Sequence, residues 1–262
     1  MKFNKKYFGI VLIFLILLVL VVNYNYLNRG LEKIFINYET GIVERVIDGD
    51  TLEINNESVR LLGINCPEKG EEYYTEAKVF LENEILGKEV RIYFGKEKYD
   101  LYKRKLGYIF IGKENINVKI IENGFGNYYF PSGKDQYYAS FYSAWENCLE
   151  KKINLCEFSK DDCANCIKLK DLNVENQKVV FENLCNFDCN LKNWNIKDEG
   201  RKHFKFLDFN LRARKSVIVK VGNNTNSNDI LYWTGETYVW TKSGDTLFLR
   251  DDEGKLVLWY GY

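Results

Sequence analysis

The stretch Ile47-Asp48-Gly49-Asp50-Thr51, followed by Val59-Arg60-Leu61-Leu62-Gly63-Ile64-Asn65-Cys66-Pro67-Glu68, decides how the first half of this chain is read. Short apolar runs surround it at 42–47, 52–54, 59–64, 90–94 and 106–111, each of strand length and rich in Val, Ile, Leu, Phe and Tyr. Asn55-Asn56-Glu57-Ser58 has the composition of a hairpin turn between the second and third runs. Helical character is expected over 71–86, with Ala77, Phe80, Leu81 and Ile85 on one face and Gly87 as the stop. Two more helices are expected over 116–122 and 136–152. Five strands with three inserted helices is the element count of an OB-fold barrel with additions.

The chemistry carried by this stretch is specific. Asp50 and Asn65 offer hard oxygen ligands for a cation of the Ca²⁺ kind, with Asp48 nearby as a weaker further ligand. Arg60 offers a planar fork suited to phosphate oxygens. A second fork, Arg104, stands in Asp100-Leu101-Tyr102-Lys103-Arg104-Lys105-Leu106-Gly107-Tyr108, where Lys103 and Lys105 add phosphate-binding charge. Glu68 is the remaining group able to orient or deprotonate an attacking water. Each has a plainer role to weigh: a strand arginine pairs with acids, an acid after proline favours a helix start, and Cys66 reads as a small buried thiol.

Taken together, the DGDT run, RLLGI followed by Pro-Glu, and a tyrosine two residues before an arginine closely resemble the staphylococcal nuclease family over roughly residues 40–158. The resemblance implies an OB-fold hydrolase cleaving phosphodiester bonds of DNA and RNA with one Ca²⁺ ion. It implies catalytic roles for Arg60, Glu68 and Arg104. Asp50, Asn65 and the backbone carbonyl of Cys66 are implied as metal ligands, and Tyr102 as a neighbour of the nucleotide phosphate. Two departures stand out. Asn65 occupies a position that is often Asp, removing one negative charge, and Leu101 replaces a Lys. The aromatic group expected beneath the base is Tyr128, Tyr129 or Phe130. A barrel that only binds nucleic acid, without cleaving it, is the alternative.

Composition narrows the field further. The chain has 262 residues, 37 basic and 37 acidic, and a single histidine, His203. One histidine excludes a two-histidine nuclease and a multi-histidine zinc enzyme. Residues 38–158 hold 16 basic and 21 acidic residues, net −5, so no broad basic footprint steers a polyanion to this domain. Residues 7–22 form an uncharged apolar run preceded by Lys2, Lys5 and Lys6, and followed by Tyr24 and Tyr26. No small-residue cleavage site follows. The expectation is a single transmembrane signal anchor within residues 1–30, N-terminus in the cytoplasm, with the rest extracytoplasmic; secretion after cleavage is the alternative.

Beyond residue 158 the pattern changes to short strands separated by Gly, Asn and Asp turns. Runs at 179–183, 194–197, 217–221, 238–240, 247–250 and 256–260 fit an immunoglobulin-like sandwich over 159–262. Asn190-Leu191-Lys192-Asn193-Trp194-Asn195-Ile196-Lys197-Asp198 and the stretch from Val239 to Asp251 resemble the lamin-tail domain, which implies a binding or spacing module whose ligand or protein partner is unknown. Gly244-Asp245-Thr246-Leu247 echoes Gly49-Asp50-Thr51-Leu52 but lacks the downstream Pro-Glu, and reads as a strand-entry turn. Cys148, Cys156, Cys163, Cys166, Cys185 and Cys189 remain. Cys163-x₂-Cys166 and Cys185-x₃-Cys189 could hold zinc. An extracytoplasmic location favours disulfides, with connectivity open.

Overall fold

The computed structural model describes residues 38–262 together with Leu15, Leu18 and Val19. The expected membrane anchor, apart from those three helical residues, lies outside the described residues. Among the described residues no helix is long and apolar enough to cross a membrane.

The first domain runs β1 (Tyr38–Asp48), β2 (Thr51–Ile54), β3 (Glu57–Leu61), β4 (Gly63–Asn65), α1 (Tyr74–Ile85), β5 (Glu89–Tyr99), β6 (Lys105–Ile111), β7 (Glu114–Asn115), α2 (Ile116–Glu122), β8 (Asn127–Tyr129) and α3 (Tyr138–Lys151). The sheet order β3-β2-β1-β5-β6-β7, with an added parallel pairing of β3 to β6, closes five strands into the expected barrel. Asn55 and Asn56 make the β2–β3 turn with φ of 52° and 62°, as a two-residue primed turn requires. Val46, Leu52, Ile54, Leu61, Ile92 and Ile109 fill the barrel. Leu81 and Ile85 of α1, Ile120 of α2 and Trp145 of α3 extend the same core.

Three local differences from the sequence reading matter to the site. The run 59–64 is two strands, because Gly63 takes φ +75° and a Cβ there would lie 2.8 Å from the Phe141 ring. The chain therefore leaves the barrel after Leu61, and β4 pairs with β8, setting Asn65 opposite Asn127. The first helix begins at Tyr74 rather than residue 71: Tyr73 is left-handed, and the Glu71 carboxylate instead accepts the Glu68 N–H at 2.8 Å.

The second domain comprises β9 (Ile167–Asn173), β10 (Lys178–Asn183), β11 (Cys189–Asn190), β12 (Asn195–Lys197), β13 (His203–Lys205), β14 (Asn210–Leu211), β15 (Ser216–Val221), β16 (Ile230–Trp233), β17 (Thr246–Arg250) and β18 (Leu256–Gly261). Sheets β16-β15-β10-β9 and β13-β12-β17-β18 enclose Phe181, Trp194, Ile196, Val217, Leu247 and Leu249, a β-sandwich. The run 238–240 is not a strand; the Val239 and Trp240 amides donate to Gln177 Oε1 at 2.7 and 3.0 Å instead of to a ladder partner. Gly244 and Asp245 lead into β17, the strand-entry turn expected. The six cysteines form Cys148–Cys156, Cys163–Cys189 and Cys166–Cys185, which leaves no thiolates for the zinc alternative. Cys66 is free and buried.

The two domains share apolar surface. Phe248, Leu256 and Trp259 of the sandwich pack on the barrel cluster, with Trp145 against Phe248 at 5.4 Å between ring centres. Polar ties flank this contact: Thr246 Oγ1 donates to the Tyr128 hydroxyl at 3.0 Å, and Lys197 pairs with Glu71 at 2.9 Å.

Candidate active site

Asp50, in the turn just before β2, is the hub. Its N–H donates to Asp48 Oδ1 at 3.0 Å, closing the Asp48-Gly49 turn. Oδ2 accepts the Cys66 N–H at 3.0 Å and faces Arg60 Nη2 at 2.9 Å, while Thr51 Oγ1 donates to Oδ1 at 3.2 Å. The turn approaches so closely that a Cβ on Gly49 would sit 2.8 Å from that of Cys66 and 2.9 Å from that of Ala77. Burial drives the Asp50 carboxyl up to about 6; Arg60 pulls it down and Asp48 pushes it up. Burial also pushes the Cys66 thiol well above its usual range, so it is no nucleophile.

Arg60 is turned inward. Nη1 donates to the Leu61 carbonyl at 2.7 Å and Nη2 to the Ile64 carbonyl at 3.0 Å, so its fork braces the bend leading to Asn65 as well as Asp50. Asn65 is buried; its Nδ2 donates to the Gly200 carbonyl at 2.6 Å, while Oδ1 has no partner. Glu68 stands at the rim, roughly half exposed, with Arg201 Nε 2.8 Å from its Oε1. A cavity of about 500 Å³ opens between the domains beside Asn65, lined also by Lys69, Lys197, His203, Lys205 and Arg250.

Arg104 and Tyr102 belong to a separate loop joining β5 and β6. Asp100 organises it: Oδ1 accepts the Tyr102 and Arg104 amides, both at 2.9 Å, and Oδ2 accepts Arg104 Nε at 2.7 Å. Partial burial opposes ionisation of Asp100, but those bonds outweigh it and hold the carboxyl below its ordinary range. Tyr102 is largely exposed beneath the Arg104 guanidinium, 5.4 Å from ring centre to Cζ. Lys103 is exposed on the same loop. Lys105 is not part of this group: it points into the ladder and pairs with Glu39, at 2.6 Å, and with Glu57.

The donor set suits a hard cation. Asp50 contributes a buried carboxylate that accepts the Cys66 amide, and the orphaned Asn65 Oδ1 is a buried acceptor with nothing to accept. Among the described residues no three His, Cys, Asp or Glu side chains are arranged to hold a metal ion by themselves. Sequence reasoning missed Asn127, Gly200 and Arg201. Asn65 and Gly200 lie 135 residues apart, and no local pattern announces that contact.

Comparison with known proteins agrees with this layout. Residues 58–157 match the family model described as staphylococcal nuclease homologue, and residues 166–262 match the lamin tail domain. A thermonuclease of Staphylococcus intermedius is 32% identical over 129 residues, covering 45% of this chain and 77% of that protein. A thermonuclease of Staphylococcus hyicus is 32% identical over 112 residues, 38% of this chain and 66% of that protein. An uncharacterized endonuclease of Haemophilus influenzae is 32% identical over 118 residues, 43% of this chain and 64% of its own length. The chain belongs to the staphylococcal nuclease family, and a lamin tail domain follows its nuclease domain.

Proposed function

We propose that the chain is a membrane-anchored, extracytoplasmic, calcium-dependent nuclease that hydrolyses phosphodiester bonds of DNA and RNA. The observation that carries the reading is the unpartnered, buried Asn65 Oδ1, one residue before the Cys66 N–H that donates to Asp50 and three residues before Glu68. Asp50, Asn65 and the Cys66 carbonyl would hold the calcium ion, with Asp48 adding charge through the turn. When bound, the ion would supply positive charge against the phosphate oxygens. Glu68, half exposed and paired with Arg201, takes the proton of an attacking water. Arg104 presents its remaining guanidinium nitrogens to phosphate, since only Nε is spent on Asp100. Arg60 holds Asp50 and the Asn65 bend in place, and its fork would be the group to meet a phosphate oxygen at this end of the site.

Three disulfides suit an oxidising compartment, and the lysines preceding the apolar run support an N-terminus inside the cell. The lamin tail domain supplies a surface for a further partner. The engagement of Arg60 by Asp50 and of Glu68 by Arg201 favours one second reading, an inactive barrel that binds nucleic acid. Plasmid and RNA digestion by the purified protein, with calcium and with excess chelator, separates the two. Cleavage only with calcium is expected; full activity in chelator defeats the metal reading, and no cleavage in either condition favours the inactive fold.

A further inference from the structure

The β12–β13 turn of the lamin tail domain, residues 198–202, sits against the candidate metal site. The Gly200 carbonyl accepts Asn65 Nδ2 at 2.6 Å. One residue earlier, the Glu199 carbonyl accepts Asn127 Nδ2 at 2.9 Å. One residue later, Arg201 Nε meets Glu68 Oε1 at 2.8 Å. Asn65 and Asn127 are paired neighbours in the β4–β8 ladder, so the turn is gripped by two adjacent amides and one acid of the nuclease domain.

An amide side chain has a donor end and an acceptor end. A backbone carbonyl can face only the donor end, so the Gly200 carbonyl fixes the amide's orientation and turns Oδ1 the other way. That oxygen is then buried with no partner, the condition in which it gains most from a cation. An aspartate at this position could not donate to Gly200; it would set a carboxylate oxygen against a carbonyl oxygen. The amide at position 65 is thus matched to the presence of the second domain.

We propose that the 198–202 turn is the outer wall of the calcium site: Gly200 orients the Asn65 amide so that its oxygen faces the cation, and Asn127 and Glu68 hold the turn in place. The proposal rests on the calcium reading of Asp50 and Asn65 given above. Partners that orient a metal ligand typically change affinity ten- to a hundredfold. Coupling is reciprocal, so bound calcium steadies the turn as much as the turn strengthens calcium binding.

The test is calcium affinity of the full-length protein by isothermal titration calorimetry, in a double-mutant cycle. Asn127→Ala loosens the turn without changing charge, and Arg201→Gln loosens it from the other side. Each is made in the Asn65 protein and in Asn65→Asp, with thermal unfolding confirming that all fold. With Asn65 present, loosening should weaken calcium binding about tenfold. In the Asn65→Asp background Asn127→Ala should leave affinity unchanged or tighten it, because either carboxylate oxygen accepts the ion and the clash with Gly200 is relieved. Hydrogen exchange of residues 198–202 should slow on adding calcium to the unmodified protein and not to Asn65→Asp. Equal weakening in both backgrounds, or no weakening in either, overturns the orienting role. No calcium binding by the unmodified protein overturns the calcium reading itself, a distinct result.

Discussion

Arg60 and Asp50 face each other at 2.9 Å, each side chain more than nine-tenths buried. An arginine placed this way does more than present charge to a substrate. It neutralises a carboxylate that burial would otherwise protonate, and it caps the Leu61 and Ile64 carbonyls at the point where the chain leaves the barrel. The ion pair and the bend belong to one unit, and that unit positions Asn65.

The first prediction contrasts the two arginines. Removing one partner of a buried pair leaves an uncompensated charge, so Arg60→Ala should lower stability on the order of 3–5 kcal/mol. Arg60→Lys should recover part of that loss, because an ammonium cannot bond two carbonyls and a carboxylate in the same geometry. Arg104 is a partly exposed loop residue, and its pair with Asp100 belongs to the class worth about 0–1 kcal/mol. Arg104→Lys should therefore melt near the parent protein yet turn over about a hundredfold more slowly. Denaturant unfolding and initial cleavage rates check both halves. Similar melting of Arg60→Ala and Arg104→Ala would defeat the contrast.

The second prediction concerns the disulfides. Cys163–Cys189 and Cys166–Cys185 tie the segment before β9 to the segment around β11, across sequence separations of 26 and 19 residues. Loss of a native disulfide from a small domain costs about 2–5 kcal/mol. Cys148–Cys156 spans 8 residues, closes a shorter loop at the end of α3, and should matter less. Reductant should lower the unfolding temperature, with Cys166→Ser/Cys185→Ser more harmful than Cys148→Ser/Cys156→Ser. A zinc-selective chelator should change nothing; a fall in stability with that chelator would restore the zinc alternative.

What the sequence reveals and what it hides divide along physical lines. The barrel strands and the Asn55-Asn56 turn follow from local pattern and turn chemistry, while the sequence leaves open which of the six cysteines pair. The cluster of Asp50, Arg60, Asn65, Cys66 and Glu68 is likewise compact in sequence. Lys105 misleads, because a basic run beside Arg104 reads as phosphate-binding charge whereas the β6 pleat points this one side chain at Glu39 and Glu57. The run 59–64 reads as one strand because apolar periodicity cannot register a single glycine at φ +75°. The contacts of Gly200 and Arg201 depend on how two domains dock, and β-sandwich patterning carries no trace of that.

The third prediction is a pH dependence of stability. Burial, followed by repulsion from Asp245, lifts both Asp198 and Glu199 to about 7. Each folded pKa is therefore above its unfolded value near 4. Between those values the folded state binds more protons than the unfolded state, so stability falls as pH rises from about 4.5 through 7. Asp50, also raised, to about 6, acts in the same direction when calcium is absent. Unfolding in chelator should show a gain on the order of 5 kcal/mol from pH 8 to pH 5 if the two carboxyls titrate independently, and less as they couple. Asp245→Asn keeps an oxygen for the Thr246 and Glu199 amides while removing the repulsion, and should flatten that slope. A slope untouched by Asp245→Asn would count against the carboxylate cluster as its source.

The last prediction concerns how a net-negative nuclease domain holds a polyanion. Residues 38–158 carry 16 basic and 21 acidic residues, and two of the basic side chains nearest the site are already committed, Arg60 to Asp50 and Lys105 to Glu39 and Glu57. Lys69, Lys103 and the unspent nitrogens of Arg104 face solvent near the site, and Arg201 joins them where Glu68 releases it, so about two to four phosphates can be neutralised at once. Each neutralised phosphate contributes roughly 0.7–0.9 to the slope of log affinity against log salt, and the slope should accordingly be shallow. Calcium would offset the local carboxylates, so its removal should cost most of the binding and not merely the cleavage. Affinity of a Glu68→Gln variant for single-stranded DNA, measured from low to high salt with calcium and with chelator, reads both quantities. A steep slope that survives chelation would place the binding surface elsewhere, on the lamin tail domain.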